Sequence, residues 1–261
     1  MKLSEIPFPD INDRLRELVK TELDRAQAVW KNVGRKMITK ADAQALDEPR
    51  RLETDIPGYP TIDVSKPAVD EFIAFVVDMR NSTSHLIQAI SDRHADASGT
   101  ERVLYETSAL LPAAAEVVRW QNGRVTEYLG DGVLALFRAS EDQHEACYAT
   151  CRAARKVVGD MRDIVNEALH TRFRLPEIDL GVGMAFSKAV VTTVGHPEEP
   201  APKAIGTCVY RASKLALLVN EIAVDDNLEA IWPKDTKGGG FRFQPKQIKG
   251  IHGHVLPPRS T

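Results

Sequence analysis

The sequence predicts an α+β or mixed α/β protein in which helices cover a sheet. Three observations support this prediction. Residues 72–77 form an uninterrupted apolar run, typical of a buried strand. A Gly-Asp-Gly turn at 130–132 joins two strand-like stretches. Long segments with helical spacing of apolar residues, 100–120 and 141–169, alternate with these strands.

The elements follow from these patterns in chain order. The apolar strand covers 70–78, and the Asn-Ser-Thr cluster behind it begins a helix at 83–94. The helix 100–120, the hairpin 124–137 and the helix 141–169 come next. We then expect strands at 177–186 and 189–195, a helix at 208–221, and terminal strands near 222–225, 241–244 and 246–251.

The N-terminal part of the chain differs from the rest. Residues 10–33 predict a charged amphipathic helix, and the proline-containing segment 46–66 predicts an irregular connector. We therefore expect an N-terminal helical extension and connector at 1–66 and one larger domain at 67–261.

Composition excludes several classes of protein. A net charge of −3 over 261 residues gives no electrostatic basis for binding nucleic acid or an anionic membrane. No apolar stretch is long enough to span a bilayer, and the first residues lack the core of a signal peptide. Three cysteines, Cys147, Cys151 and Cys208, fit buried thiols in a reducing cytosol. We expect a cytoplasmic protein.

Two carboxylates are the strongest functional signal. Asp78 ends the apolar strand, and Asp131 lies in the Gly-Asp-Gly turn. Carboxylates at strand ends, beside the free N–H groups of a helix start, form a plausible site for divalent metal and triphosphate. Taken singly, Asp78 is better explained as a helix cap and Asp131 as a turn residue.

Five segments in the same order resemble class III nucleotidyl cyclases. The segment V-D-M-R-N-S-T at 77–83 resembles the family's F-x-D-I-x-G-F-T, and L-G-D-G-V-L-A at 129–135 resembles L-G-D-x-x-M-A. Residues 179–183 and 206–215 are similar to the V-G-I and G-x-x-V-N-x-A-x-R-L segments, and 247–250 to the late V-K-G strand. The resemblance implies the family's fold over 68–258, a ferredoxin-like central sheet flanked by helices.

The resemblance also implies a reaction, in which a ribose 3′-oxygen attacks the α-phosphate and expels pyrophosphate. Two divalent cations, Mn²⁺ or Mg²⁺, would lower the pKa of the hydroxyl and neutralise the triphosphate. Their implied ligands are Asp78, Asp131 and the Met79 carbonyl. The implied phosphate-binding residues are Asn81, Ser82, Thr83 and Lys249. A solvated strand lysine is an equally good explanation of Lys249.

Two departures from the family's motifs fall at the positions that recognise the nucleotide base. Where adenylate cyclases have a Lys and an Asp, this chain has Glu127 and Lys203, so the two charges are exchanged. An ionised Glu only accepts hydrogen bonds and a Lys only donates. Uracil, with an N3–H between two carbonyls, suits this pair, and guanine suits it as well; cytosine suits it less clearly. Two unrelated surface charges remain an alternative.

The family's ribose-orienting Asn is Tyr210 here, and its transition-state Arg is Lys214. The two lie four residues apart beside the helix's apolar stripe of Cys208, Ala212, Leu215 and Val219. A tyrosine narrows the pocket and favours a one-ring base, although it is also a common helix-packing residue.

These substitutions resemble the bacterial pyrimidine cyclases, whose product activates a separate effector protein during phage defence. We therefore expect a homodimer with two composite sites that cyclises UTP in preference to CTP. The alternatives are a guanylate or cytidylate cyclase, and a nucleotide-binding regulatory module that has lost catalysis. Elsewhere, His252 and His254 share one side of a strand, but the sequence shows no third metal ligand.

Overall fold

A computed structural model describes residues 51–87, 99–233 and 243–257. In chain order the elements are β1 (Arg51–Glu53), β2 (Thr61–Asp63), β3 (Ala68–Met79), α1 (Ser82–Ile87), α2 (Gly99–Trp120), β4 (Arg124–Tyr128), β5 (Gly132–Arg138), α3 (Gln143–Lys156), α4 (Arg162–Phe173), β6 (Leu180–His196), β7 (Glu199–Gly206), α5 (Thr207–Leu215), β8 (Ile222–Asp225), α6 (Asp226–Ala230), β9 (Gln244–Ile248) and β10 (Ile251–Val255). A π-helical segment, Val157–Met161, joins α3 to α4.

The apolar run becomes the central strand β3 of an eight-stranded mixed sheet. The strand order is β4-β5-β3-β6-β8-β10-β9, and β7 pairs with β6 outside this path. All pairings are antiparallel except that of β6 with β8. Asp78 lies opposite Gly132 of β5 and Gly181 of β6. The end of β3 is therefore enclosed by two strands, which fixes the position of Asp78.

Alternate residues of β3 face two separate cores, as expected for a strand buried on both sides. Ile73, Phe75 and Val77 pack with the face covered by α2, α3 and α4. Phe72, Ala74 and Val76 pack on the opposite face with buried residues of α5, among them Cys208 and Ala212. The sheet is thus covered by helices on both sides, as the sequence predicts.

The predicted long helix is bent. It divides into α3, the π-helical segment and α4, and Gly159 within that segment has non-helical backbone angles. Glycine tolerates such a conformation because it has no side chain to clash. Cys147 and Cys151 lie buried on α3, as predicted, and burial raises the pKa of Cys147 to about 12. A thiol with that pKa stays protonated at neutral pH and packs as an apolar group.

Three predictions about strands are wrong. The strands expected at 177–186 and 189–195 are one continuous strand, β6, and β7 behind it was not expected. The strand expected at 246–251 is interrupted by a hairpin turn: residues 246–248 end β9, Lys249 and Gly250 both adopt positive φ in the turn, and Ile251 begins β10. Part of the expected connector forms the antiparallel pair β1–β2.

The helix predicted at 208–221 ends early, at Leu215. Val219 consequently does not join the apolar stripe and is 53% exposed, whereas the other three stripe residues are fully buried.

The segment before β3 packs against the sheet. Ile56 and Ile62 are buried in the same core as Phe72, and Tyr59 Oη donates to Asp70 Oδ2 at 3.0 Å. The predicted helix at 10–33 lies outside the described residues, and the domain boundary at 66 stays a prediction. No helix in the described ranges has both the length and the apolar character needed to cross a bilayer.

Candidate active site at the ends of the central strands

Asp78 is half-buried at the end of β3, where the neighbouring backbone approaches closely. A Cβ at Gly132 would lie 2.2 Å from the Val77 carbonyl oxygen, so only glycine fits opposite Asp78. The next glycine back, Gly130, has φ +84, the left-handed conformation that glycine favours in a tight turn. These two glycines shape the turn that presents Asp131.

Asp131 is held beside Asp78 by backbone and side-chain contacts. The Met79 N–H donates to the Asp131 carbonyl oxygen at 3.1 Å. Ser82 Oγ donates to the Asp131 carboxylate oxygen Oδ2. The structure therefore brings together Asp78, Met79, Ser82 and Asp131, although the sequence separates Asp131 from the other three by about fifty residues.

The two carboxylates interact electrostatically. Burial raises the pKa of Asp78, and the charge of Asp131 acts in the same direction. Arg80 opposes this shift, since its Nη2 donates to Asp78 Oδ2. The negative charge at this strand end is thus only partly neutralised by the protein itself.

Arg80 is a residue that sequence reasoning missed. Its guanidinium contacts Asp78, and its buried Nε has no hydrogen-bond partner among the described residues. Its backbone N–H donates to the Asp179 carbonyl at 2.8 Å, which anchors it to the residue that precedes β6. The sequence feature that could have indicated Arg80 is its position between Asp78 and the predicted phosphate-binding segment.

The predicted phosphate-binding segment forms the start of α1. Asn81 has φ +61, a left-handed conformation that Asn tolerates, and its carbonyl accepts from the N–H of Ser84 and His85. Thr83 is exposed on the first turn. Lys249, by contrast, is exposed in the β9–β10 turn, and within the described ranges no hydrogen bond or ion pair joins it to this segment.

Glu127 and Lys203 form an ion pair. Lys203 Nζ and Glu127 Oε2 are 2.6 Å apart, and each side chain is 33% exposed. Glu127 lies where the β4–β5 register shifts after Val125, and such a bulge redirects a side chain. Lys203 belongs to β7, the strand that the sequence did not predict. The fold therefore joins two residues that only the resemblance had paired.

Tyr210 and Lys214 also lie together, on α5. Lys214 Nζ is 5.7 Å from the centre of the Tyr210 ring, within cation–π range. The helix buries Cys208, Ala212 and Leu215 against its own sheet. Tyr210 is 62% exposed, so this pair projects from the flank of the helix toward solvent.

The residues at the end of β3 suit divalent cations. Hard cations prefer carboxylate and carbonyl oxygens. Asp78 and Asp131 provide two carboxylates whose mutual repulsion contributes to the raised pKa of Asp78. Asp78 and Asp131 would hold a cation through the carboxylate oxygens that now accept from Arg80 and Ser82.

Comparison with solved structures identifies the fold. The adenylyl cyclase CyaB from P. aeruginosa is 14% identical, with a TM-score of 0.60 over 75% of this chain and 97% of that chain. The guanylyl cyclase Cya2 is 18% identical, with a TM-score of 0.59 over 72% of this chain and 92% of that one. The guanylate cyclase domain of RhGC from Catenaria anguillulae, solved with GTP, is 17% identical, with a TM-score of 0.53 over 75% and 100% of the two chains.

No protein-family model matches the chain, and no curated protein matches it at a significant level. The structural similarity confirms the predicted class III cyclase fold, a mixed sheet flanked by helices.

Proposed function

We propose, from the class III cyclase fold and the residues collected at the end of β3, that the protein is a nucleotidyl cyclase. Its substrate would be a pyrimidine nucleoside triphosphate, UTP in preference to CTP, and its products a 3′,5′-cyclic monophosphate and pyrophosphate. The single observation that carries this proposal is the pairing of Asp78 with Asp131, two half-buried carboxylates on adjacent strand ends.

Different residues of the chain would bind the metal ions and the phosphates. Asp78, Asp131 and the Met79 carbonyl would hold two divalent cations, Mn²⁺ or Mg²⁺, which when bound supply positive charge to the 3′-hydroxyl and the triphosphate. Asn81, Ser82 and Thr83 would offer backbone N–H groups to the β- and γ-phosphates.

Arg80 would take part in the same recognition. Arg80 now contacts the Asp78 carboxylate, and in the metal-loaded site its guanidinium would be free to bind phosphate. A planar guanidinium with free donors matches a phosphate well. Arg80 would thereby exchange a carboxylate partner for a phosphate partner.

The Glu127–Lys203 pair would recognise the base. An ion pair this exposed contributes only about 0.2–1 kcal/mol, so separating the two side chains to admit a base edge costs little. Glu127 would accept from a base N–H and Lys203 would donate to a neighbouring carbonyl. The N3–H of uracil lies between two carbonyls and presents that arrangement.

Tyr210 and Lys214 would complete the site. A tyrosine in place of the family's Asn leaves less room and favours a one-ring base, and its ring can stack on base or sugar. Lys214 would neutralise the α-phosphate as a point charge. Lys249 would bind phosphate only if the substrate reaches the β9–β10 turn.

The proposed functional unit is a homodimer with two composite sites. Tyr210 and Lys214 project outward from a helix whose other face packs on the chain's own sheet. In a head-to-tail pair, this flank of one chain would meet the Asp78–Asp131 end of the other.

Two alternative functions have specific support. Guanine presents N1–H and O6 to the Glu127–Lys203 pair, so a guanylate cyclase fits the same polarity; a cytidylate cyclase fits it less well. A regulatory module that binds nucleotide without turnover would explain the loss of the family's Asn and Arg at Tyr210 and Lys214. A role for the product as a messenger sensed by an effector in phage defence rests on the resemblance to pyrimidine cyclases.

Replacing either carboxylate tests the proposal. Asp78→Ala and Asp131→Ala should each abolish formation of cyclic nucleotide while circular dichroism and the oligomeric state stay unchanged. Asp163→Ala, which removes an exposed carboxylate on α4, is the matched control and should keep full activity. Near-normal metal-dependent turnover by either active-site variant would refute the assignment.

A further inference from the structure

A second cluster of potential metal ligands lies far along the sheet from β3. Asp226, His252 and His254 each offer one ligand atom, and these atoms lie within 4.8 Å of one another. Asp226 Oδ1 is 2.6 Å from His252 Nδ1 and 2.9 Å from His254 Nε2. The third ligand that the sequence did not show is thus a residue that starts α6.

The fold holds these three residues on rigid elements. His252 and His254 are two apart on β10 and therefore face the same side of the sheet. The residue between them, Gly253, faces the other way, since a Cβ there would lie 2.5 Å from Leu215 Cδ2. Gly253 lies opposite Asp225 of β8. The next residue, Asp226, therefore lies beside the two histidines.

The groups around the cluster orient Asp226. Arg211 Nη2 donates to Asp226 Oδ2 at 3.1 Å and to the His252 carbonyl at 3.2 Å, which leaves Oδ1 directed at the two imidazoles. Arg211 Nε is also 2.9 Å from the buried Asp225 carboxylate.

We propose that Asp226, His252 and His254 bind a divalent first-row transition ion, such as Zn²⁺, with its remaining positions filled by water. Two imidazoles and one carboxylate are a ligand set that suits zinc, iron, cobalt and nickel, whereas Mg²⁺ and Ca²⁺ prefer all-oxygen sites. Bonds of about 2.0–2.2 Å in a tetrahedral shell place ligand atoms about 3.3–3.6 Å apart. The imidazole–carboxylate separations of 2.6 and 2.9 Å would therefore need to widen by about 1 Å or less to admit the ion. The inference is independent of the proposed catalytic function.

Cobalt provides a direct readout. The full-length chain, purified without a histidine tag and treated with chelator, would be titrated with Co²⁺ and followed by its visible absorption. The titration would be repeated in an Asp78→Ala background, which removes the carboxylate pair as a competing site. We expect one Co²⁺ per chain in that background, displaced by Zn²⁺ but not by excess Mg²⁺.

Single-ligand variants locate the site. His252→Ala and His254→Ala should each weaken binding by more than about a hundredfold, because even outer partners of a metal site contribute about 10–100-fold. His144→Ala, an exposed histidine on α3, should bind as the parent does. His252 is itself largely exposed, and circular dichroism would show that its variant folds. Equal binding by the parent and both variants, or displacement by Mg²⁺, would overturn the proposal.

Discussion

At the residue scale, Asp78 is placed where its negative charge is unfavourable. It is half-buried, close to Asp131, and its pKa is raised despite the adjacent Arg80. A carboxylate kept in such a place reduces stability at neutral pH, and a bound cation would reverse that effect. Its position therefore fits a ligand better than a structural helix cap.

A neutral substitute should stabilise the metal-free protein. Because the native pKa of Asp78 is raised, the native state binds more protons than the unfolded chain, and stability is lost as pH rises above the ordinary aspartate value. Asp78→Asn should accordingly raise Tm at pH 7, by about 2–4 °C for each kcal/mol regained.

This gain should shrink as the pH falls through the ordinary aspartate pKa of about 3.9 and largely vanish by about pH 3, where Asp78 is mostly protonated in both the native and the unfolded state. Thermal unfolding in chelator across this pH range measures the effect. Asp163→Asn, on the exposed surface of α4, is the control and should change little at any pH. A Tm for Asp78→Asn at or below that of wild type at pH 7 would contradict the assigned electrostatics.

Tyr210 should control the choice between one-ring and two-ring bases. Tyr210→Ala enlarges the proposed pocket and should raise the use of purine relative to pyrimidine triphosphates by about tenfold or more. Relative kcat/KM values from mixed substrates measure this ratio. The control is Tyr148→Ala, an exposed tyrosine on α3. An unchanged ratio in Tyr210→Ala would remove the size argument.

At the element scale, α1 is held against α2 by a buried charged group. Glu106 of α2 is fully buried, with Oε1 2.7 Å from Arg102 Nε and Oε2 2.9 Å from His85 Nδ1. His85 lies on α1 one turn after Ser82, which contacts Asp131. The network therefore positions the helix that begins beside the two carboxylates.

Removing the central member of this network should be costly. Glu106→Ala leaves Arg102 buried without its partner, a loss of about 3–5 kcal/mol in the free energy of unfolding. Urea denaturation measures the change. Glu116→Ala on the exposed side of the same helix removes only surface contacts with Arg119 and Trp120, worth less than about 1 kcal/mol. Equal losses of unfolding free energy in the two variants would show that the buried network stabilises the protein no more than the surface contacts of Glu116 do.

The sequence predicted elements well where one pattern dominated. The apolar run of β3, the Gly-Asp-Gly turn and the helix at 100–120 are confirmed. The sequence did not predict β7, because Pro200 and Pro202 have no N–H to donate and so disfavour a strand. The structure tolerates them because β7 pairs with β6 alone. The β9–β10 turn was missed because Lys249 adopts a positive φ that lysine rarely takes.

The site could be predicted only in part, because contacts between distant segments leave no local pattern. The order of motifs indicated Asp78 and Asp131, but not that Ser82 donates to Asp131 or that Arg80 pairs with Asp78. The exchanged charges at Glu127 and Lys203 indicated a pair. Their 2.6 Å contact depends on β7, a strand the sequence did not reveal.

At the scale of the whole molecule, the proposed site requires two chains. Asp78→Ala and Lys214→Ala should each be inactive, and mixing them should restore activity, because a heterodimer has one intact composite site. Random exchange gives about half heterodimers with one active site of two, so recovery should approach about a quarter of wild type.

A matched mixture tests the division of the site between chains. Asp78→Ala with Asp131→Ala should show no recovery, since both changes damage the same half of each site. Subunit exchange would be verified with differently labelled chains. Exchange without recovery in the first mixture, or recovery in the second, would exclude the proposed sharing.

The most direct test of a pyrimidine cyclase is a competition among substrates. Wild-type protein would be incubated with equal concentrations of ATP, GTP, CTP and UTP and with Mn²⁺, and the cyclic products identified by mass. We predict cyclic UMP as the main product, absent with Asp78→Ala. Cyclic AMP or cyclic GMP as the main product would contradict the pyrimidine assignment, and the absence of any cyclic nucleotide would contradict the cyclase itself.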